Sequence, residues 1–415
     1  MSKQKFKQTE IGEIPEDWEI ASLGNEQVST LITKGTTPTS FGLKYVDEGI
    51  NFIKIESIDG NGSFLQYKFT HIDEETNKKL KRSILQEDDV LFSIAGALGT
   101  VALVNRQILP ANTNQALAII RLKKEKILPQ YVLYALNSFY VKKIIKKEES
   151  KSAQANLSLT QINKLKIPVP SFLEQQRIAS VLSCVDSAIQ QTDEVIEQAR
   201  TLKKGLMQEL LTRGIGHKKF KKVMLEKKKV EIPESWEICQ LGNLLKLEYG
   251  KALKGEKRNG GSFPVYGSNG IVGYHDLAIV KGPGILIGRK GSVGAVHYAQ
   301  SDFWPIDTTY YASIKQEVNV KWLYYLLSSL RLEYLNDLGN VPGLNRNHVH
   351  EKIVPKPGVQ EQERISQILS SAESKIDSDL EKRSQLERLK KGLMQDLLTG
   401  RVRFPEFMKG SKHAV

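Results

Sequence analysis

The sequence predicts a mixed α/β (α+β) protein: two globular segments, each followed by a long helix, with the helices pairing as an antiparallel coiled coil under pseudo-two-fold symmetry. Three observations lead there. First, the 415 residues are 40% apolar and 26% charged, a globular composition with length for more than one core. Second, the chain repeats itself. IPEDWEIASLGN at 14–25 returns as IPESWEICQLGN at 232–243 with nine of twelve positions identical, and KKGLMQELLT at 203–212 returns as KKGLMQDLLT at 390–399 with nine of ten identical. Third, a proline-free heptad pattern leads into each KKGLMQ block. The first pair of blocks lies 218 positions apart and the second 187, so the 31 residues gained or lost between the copies fall between like ends.

In the first globular segment, 1–170, residues 90–94, 100–104 and 116–121 have strand composition, and 129–143 has helical length and periodicity. The helix of 171–213 starts after Pro168 and Pro170, where Ser171 and Glu174 have the spacing of a capping box. Its seam runs Ile178, Leu182, Val185, Ile189, Ile196, Leu206 and Leu210, interrupted by Thr192 and Lys203. Residues 214–230 read as an exposed basic linker, with Lys218, Lys219, Lys221, Lys222, Lys227, Lys228 and Lys229 near Gly214 and Gly216; such a run either solvates itself or meets phosphates. In the second globular segment, 231–357, strands recur at 285–288, 294–298 and 310–314 and a helix at 321–334. A second helix over 358–402 carries Ile365, Leu369, Ile376, Leu386, Leu393 and Leu397 before a tail at 403–415. A helix of about 38 residues is about 57 Å long, more than a compact domain needs. Two such helices in one chain most economically pair with each other; the alternative is that each packs on its own segment.

The middles are related at a distance. LFSIAGALGTVALV at 91–104 aligns with LIGRKGSVGAVHYA at 286–299, an offset of 195 that sets NTNQA at 112–116 on DTTYY at 307–311. QANLSLTQI at 154–162 falls on VPGLNRNHV at 341–349. One skeleton thus carries different polar side chains.

Composition excludes several classes. A net charge of +13 points to an acidic partner such as nucleic acid. The N-terminus has no apolar secretory core, and the densest apolar run, 322–327, is six residues, too short to cross a bilayer. Cys184 and Cys239, without a CxxC, give neither a disulfide framework nor a thiolate zinc site and suit a reducing cytoplasm. There is no GxxxxGK[ST] loop, HExxH, GxSxG or [DNS]PP[YFW] motif, and His348 with His350 lacks a third metal ligand. The chain reads as a recogniser without a catalyst.

Candidate nucleic-acid contacts lie in the glycine-bearing turns. They are Lys34, Thr36 and Thr37 in the first segment, with Asn112, Asn114 and Gln115 in NTNQA. In the second they are Lys251, Lys254, Ser268, Asn269, Tyr274, Arg289, Lys290 and Ser292. Arg and Lys suit guanine edges and phosphates, Asn and Gln suit adenine, and glycine lets backbone N–H groups approach phosphate oxygens.

The duplicated IPE-x-WE signature, the passage NLSLTQI followed by IPVPSFLEQQRIA, and the helix-ending KKGLMQELLTRGIGH and KKGLMQDLLTGRVRF resemble the specificity subunit of Type I restriction-modification systems. The resemblance covers nearly the whole chain in the order target-recognition domain, conserved helix, target-recognition domain, conserved helix. It implies a cytoplasmic, non-catalytic subunit that binds double-stranded DNA, joins two methyltransferase subunits and recruits restriction subunits. S-adenosylmethionine, ATP and Mg2+ then belong to those partners, and this chain holds no cofactor. Two departures bear on local geometry: VPGLNR replaces the QANLS passage, and Gly358 stands where the first helix has its capping Ser171. Two rivals are a self-contained DNA-modifying enzyme, which a methyl-transfer assay on the chain alone exposes, and a coiled-coil scaffold, which a mobility shift with random duplex exposes.

Overall fold

The computed structural model describes residues 5–150, 156–225, 228–315, 317–337 and 343–407. Gln154, Ala155, Lys227, Val341, Pro342 and tail residues 408–415, all named or spanned above, lie outside the described residues, as does the side chain of Lys228. The chain divides into two compact units, residues 1–191 with 383–415, and residues 192–382.

Both units are built on one plan. The first holds a four-stranded antiparallel sheet in the order Ser29–Lys34, Leu117–Leu122, Val90–Ser93, Val101–Leu103, and a three-stranded sheet of Thr70–Ile72, Ile50–Ile53 and Ala111–Thr113 whose last pair is parallel. The second repeats both, with Leu245–Tyr249, Thr309–Ile314, Gly284–Gly288 and Val296–Ala299 in one sheet and Gly270–His275, Phe263–Gly267 and Trp304–Pro305 in the other. Successive strand residues point to opposite faces. Val90 and Phe92 accordingly enter the core shared with the helices, while Leu91 enters a second core between the sheets. Ile285 and Ile287 divide from Leu286 in the same way.

Register corrects the alignment of the middles. Ser93 pairs with Leu117, and its counterpart Gly288 pairs with Thr309, so the offset after the third strand of the chain-order repeat is 192. NTNQA therefore superposes on residues 304–308, three positions away from the DTTYY match. The parallel pairs agree, since Asn112 faces Phe52 and Trp304 faces Val265.

Three element assignments also change. The helix expected over 129–143 is two, Pro129–Leu136 and Phe139–Glu149, because Asn137 bonds back to the Leu133 carbonyl at 3.0 Å and Ser138 caps the second piece. In the second unit, Val320–Ser329 is followed by a 3-10 turn, Leu332–Leu335, after Arg331 takes φ 48°. The lysine-rich stretch expected as a linker is mostly a hairpin: Phe220–Leu225 pairs with Lys228–Pro233, as Phe6–Thr9 pairs with Gly12–Pro15. Val223 and Val230 pack on the core of their unit, and Lys221 donates to the Trp236 carbonyl at 2.6 Å.

The long helices run Phe172–Leu210 and Val359–Leu397. In the first unit the start of one packs on the end of the other, bringing Ile178, Ala179 and Leu182 onto Leu397 and Leu398; in the second unit Leu210 and Leu211 share a core with Ile365 and Leu369. All thirteen expected seam residues are buried or half-buried, with Ile178, Leu182, Ile196, Leu210, Ile365, Leu369, Ile376 and Leu397 fully so. Asp186 pairs with Lys390 at 2.6 Å and Lys203 with Glu373 at 2.7 Å. The seventeen residues from Asp186 to Lys203 match the seventeen back from Lys390 to Glu373, so both pairs keep one antiparallel register.

The shared signatures have a structural reason. Trp18 Nε1 donates to Glu174 at 3.1 Å, and Trp236 Nε1 donates to Glu361 at 2.8 Å, tying each IPE-x-WE block to the first turn of its long helix. Arg403 completes the first latch with two 2.7 Å bonds to Glu174 and a bidentate pair to Asp17; His217 and the Ile215 N–H take that place on Glu361. The capping box at Ser171 is therefore half made: Ser171 accepts the Glu174 N–H at 3.3 Å, but the Glu174 carboxylate is held by Trp18 and Arg403. A second repeated chain runs from Tyr134 to Asp186 to Lys390, and from Tyr325 to Glu373 to Lys203. Burial pushes both phenols well above the ordinary range, with the neighbouring carboxylates adding to it.

Candidate nucleic-acid interface

One backbone motif recurs where the four-stranded sheet of each unit ends. Gly35 and Gly250 follow the first strand of that sheet, and a Cβ at Gly35 would lie 1.9 Å from the Thr113 carbonyl oxygen, at Gly250 2.1 Å from that of Ile306. Any other residue must push these backbones apart. The next residues, Thr36 and Lys251, donate their N–H groups to Thr113 and Pro305. The turn after the Val90–Ser93 strand is held by the Leu157 N–H on the Ile94 carbonyl, and the equivalent turn by the Leu344 N–H on Arg289, both at 2.9 Å. The replacement of QANLS by VPGLNR thus preserves this contact, and Asn345 caps the following short helix as Ser158 does.

On this frame the first unit gathers Lys34, Thr36, Thr37 and Gln115. Lys34 is exposed, Thr37 Oγ1 donates to Gln115 Oε1, and Thr36 Oγ1 accepts from Arg82 at 3.2 Å. Arg82, 46 residues away in sequence, was not a sequence candidate. Asn112 does not belong to this surface. It is fully buried in the three-stranded sheet, donating to Asn77 Oδ1 at 2.8 Å and the Leu80 carbonyl at 3.2 Å, so it is a fold residue. Asn114 is half-buried and accepts the Ala116 N–H at 3.1 Å, shaping the turn.

In the second unit Ser268 and Asn269, at the tip between Phe263–Gly267 and Gly270–His275, meet the turn of residues 288–292. Ser292 Oγ donates to Asn269 Oδ1 at 3.4 Å. Arg289 lies with its guanidinium 4.9 Å from the ring centroid of half-exposed Tyr249 and donates to the Asp307 carbonyl at 3.0 Å. Lys251 and Lys290 are exposed beside them. Lys254 immediately precedes the 3-10 turn Gly255–Lys257 and Tyr274 lies on an edge strand, and both are exposed. Sequence reading missed Tyr249 and Arg346, whose guanidinium is 5.0 Å from the same ring. Burial and the neighbouring Arg346 lower the His350 pKa, which fits its Nε2 accepting the Leu247 N–H at 3.0 Å.

Among the described residues, no group of three His, Cys, Asp or Glu side chains stands together to hold a metal ion, and no helix is long and apolar enough to cross a membrane. These turns offer cations, amides, hydroxyls and, in the second unit, the exposed Tyr249 ring with two cations over it, which suits binding to nucleic acid.

Over residues 15–200 and 233–388 the chain matches the Type I restriction modification DNA specificity domain. It is 29% identical to the putative type I restriction enzyme MjaX specificity subunit of Methanocaldococcus jannaschii, covering 97% of each chain. It is 22% identical to the EcoprrI specificity subunit of Escherichia coli over 84% of this chain and 86% of that one. The crystal structure of the S subunit of a Type-I restriction-modification system from M. genitalium shares the fold, with a TM-score of 0.61 at 18% identity over 92% of this chain and 96% of that one.

Proposed function

Since the chain belongs to the Type I restriction-modification specificity subunit family, whose members are the non-catalytic DNA-recognition components of their complexes, we propose that it reads an asymmetric two-part duplex target, one half-site per unit. The observation that carries this is a fixed frame with changed faces. The 2.9 Å bond that holds Ile94 in one unit holds Arg289 in the other, so the turn is kept while its side chain goes from apolar to cationic. Unlike faces on like frames call for unlike half-sites. The paired helices serve as the spacer, and the chain works in the cytoplasm on double-stranded DNA.

The same reading takes two methyltransferase subunits as partners, with restriction subunits joining the assembly and S-adenosylmethionine, ATP and Mg2+ held by those partners. Two repeated grooves support the pair. In the second unit a cavity of about 760 Å³ is lined by Met207, Gln208, Leu211 and Thr212. In the first, a cavity of about 520 Å³ is lined by the corresponding Met394, Gln395, Leu398 and Thr399. Two like surfaces suit two copies of one partner.

The test is methylome sequencing of a host with and without the gene, then with a spacer shortened by a heptad. Because the helices are paired, residues 194–200 and 376–382 must go together, which keeps the seam in phase. About 10.5 Å is lost at 1.5 Å per residue, or about three base pairs at 3.4 Å each. The two half-sites should persist with a gap shorter by that amount. Changed half-site bases with an unchanged gap would refute the spacer role, and a palindromic motif would refute one unlike half-site per unit.

A further inference from the structure

We propose that Tyr249, Arg289 and Arg346 form the guanine-reading element of the second unit, with Arg346 a specificity-determining residue and Tyr249 a positioning residue; this rests on the DNA-recognition reading above. Three segments far apart in sequence deliver the group: the end of the Leu245–Tyr249 strand, the turn after Gly284–Gly288, and the start of the Arg346–His350 helix. Each is pinned by backbone. Leu344 N–H bonds to the Arg289 carbonyl, Tyr310 Oη donates to the Leu344 carbonyl at 3.0 Å, and Leu247 N–H donates to His350. The two guanidinium groups lie 4.9 and 5.0 Å from the centroid of one tyrosine ring. Two like charges over one half-exposed ring repel each other, and an exposed cation–π contact is worth only about 0.5–1 kcal/mol each. A fold-stabilising role does not explain the arrangement.

The nearby carboxylate does not neutralise it. Glu248 is engaged by Lys246 at 2.6 Å, and that bond is the first cause of its lowered pKa, with Arg346 a lesser one. Among the described residues each guanidinium makes a single hydrogen bond, Arg289 to the Asp307 carbonyl and Arg346 to the Leu247 carbonyl at 3.4 Å. The remaining N–H donors are left for a ligand that accepts through paired atoms. Contact with an aromatic face restrains the plane of a guanidinium, and a planar fork matches the O6 and N7 acceptors of guanine in the major groove. A phosphate needs charge but not that plane.

The corresponding positions of the first unit are Lys34, Ile94 and Leu159. Ile94 is buried in a core shared with Leu157, and Leu159 packs against it. The group is therefore confined to one unit, as a determinant of one half-site should be.

The test captures the complete assembly through a tag on this chain and selects bound duplexes from a randomised library, for wild type, Arg346→Ala, Arg346→Lys, Tyr249→Phe and Tyr249→Ala, with a thermal melt of each. Arg346→Ala should lower the preference for one guanine, in one half-site, by about 5- to 140-fold. Arg346→Lys should restore overall binding but not that preference, since an ammonium lacks the fork. Tyr249→Phe should behave as wild type and Tyr249→Ala should weaken the same base position. An unaltered motif in folded Arg346 variants overturns the inference and leaves the DNA reading standing. Equal loss on all sequences, with a salt dependence shallower by about 0.9 in log–log slope and full rescue by Lys, identifies a phosphate contact and also overturns it. A wild-type assembly that selects no motif overturns the reading beneath it, and this inference with it.

Discussion

Removing the Glu174 carboxylate should cost the first unit more than removing its counterpart Glu361 costs the second. Glu174 is almost wholly buried and is the acceptor for Trp18 Nε1 and for two N–H groups of Arg403, which is itself 4% exposed. Glu174→Ala leaves that guanidinium with Asp17 as its one carboxylate among the described residues and takes the acceptor from the indole N–H. Breaking one side of a buried pair costs about 3–5 kcal/mol. Each kcal/mol moves Tm by about 2–4 °C for a domain of 150–250 residues, so the first unit's transition should fall by about 6–20 °C. Glu361 is 19% exposed and its counter-group is His217, so Glu361→Ala loses hydrogen bonds without stranding a buried permanent charge. That cost is about 1–3 kcal/mol. Differential scanning calorimetry of the two variants measures both. Glu174→Leu with Arg403→Met should recover much of the loss, because replacing a whole buried pair by apolar groups is close to neutral. A Glu174→Ala penalty no larger than that of Glu361→Ala, or a double variant as unstable as the summed singles, would refute the reasoning.

Glu373 supplies a pH dependence: burial alone would raise its carboxyl, but hydrogen bonds from Lys203, Lys321 and Tyr325 bring it below the ordinary range. A depressed folded value means stability that is present above the unfolded pKa of about 4.3 and lost as pH falls through the folded one; the difference in Tm between wild type and Glu373→Gln should be full at pH 7 and shrink in acid. Asn112→Ala should cost about 1–3 kcal/mol in chemical denaturation, by taking from Asn77 Oδ1 and the Thr113 N–H the amide that satisfies them, while the recognised motif stays unchanged. Gly250→Ala should weaken binding to the second half-site in a library selection and spare the first, because its Cβ cannot coexist with the Ile306 carbonyl in the present turn.

The parts of the molecule with a period were legible in the sequence. The seam residues recur every seven positions, and every one is buried or half-buried. Trp18 and Trp236 were visible as a repeat, but that each bonds a glutamate at the start of a long helix was not, because the partners lie 156 and 125 positions apart. The break at Asn137 escaped notice because Pro129 to Leu136 and Phe139 to Glu149 carry compatible helical patterns, and only the side-chain bonds of Asn137 and Ser138 end one and begin the other. The lysines of 218–229 looked like a linker because charge masks the alternation of Val223 and Val230, whose partners lie across the hairpin. Asn112 was placed at the surface because an amide in a glycine-poor strand resembles one in a turn until its burial is known. Tyr249 and Arg346 were missed for the opposite reason: each is unremarkable alone and acquires meaning only from the ring they share with Arg289.

The twin chains Tyr134–Asp186–Lys390 and Tyr325–Glu373–Lys203 have a consequence for how new specificities arise. Every member stands on a helix, away from the turns that differ between the units, so the aim of a recognition surface is encoded outside that surface. Recombination that exchanges everything between Trp18 and Glu174, or between Trp236 and Glu361, brings in foreign turns whole, and the mounting is kept wherever the incoming stretch carries its own tyrosine. Inheritance can then shuffle what is read while each unit keeps the bonds that seat it on the long helices.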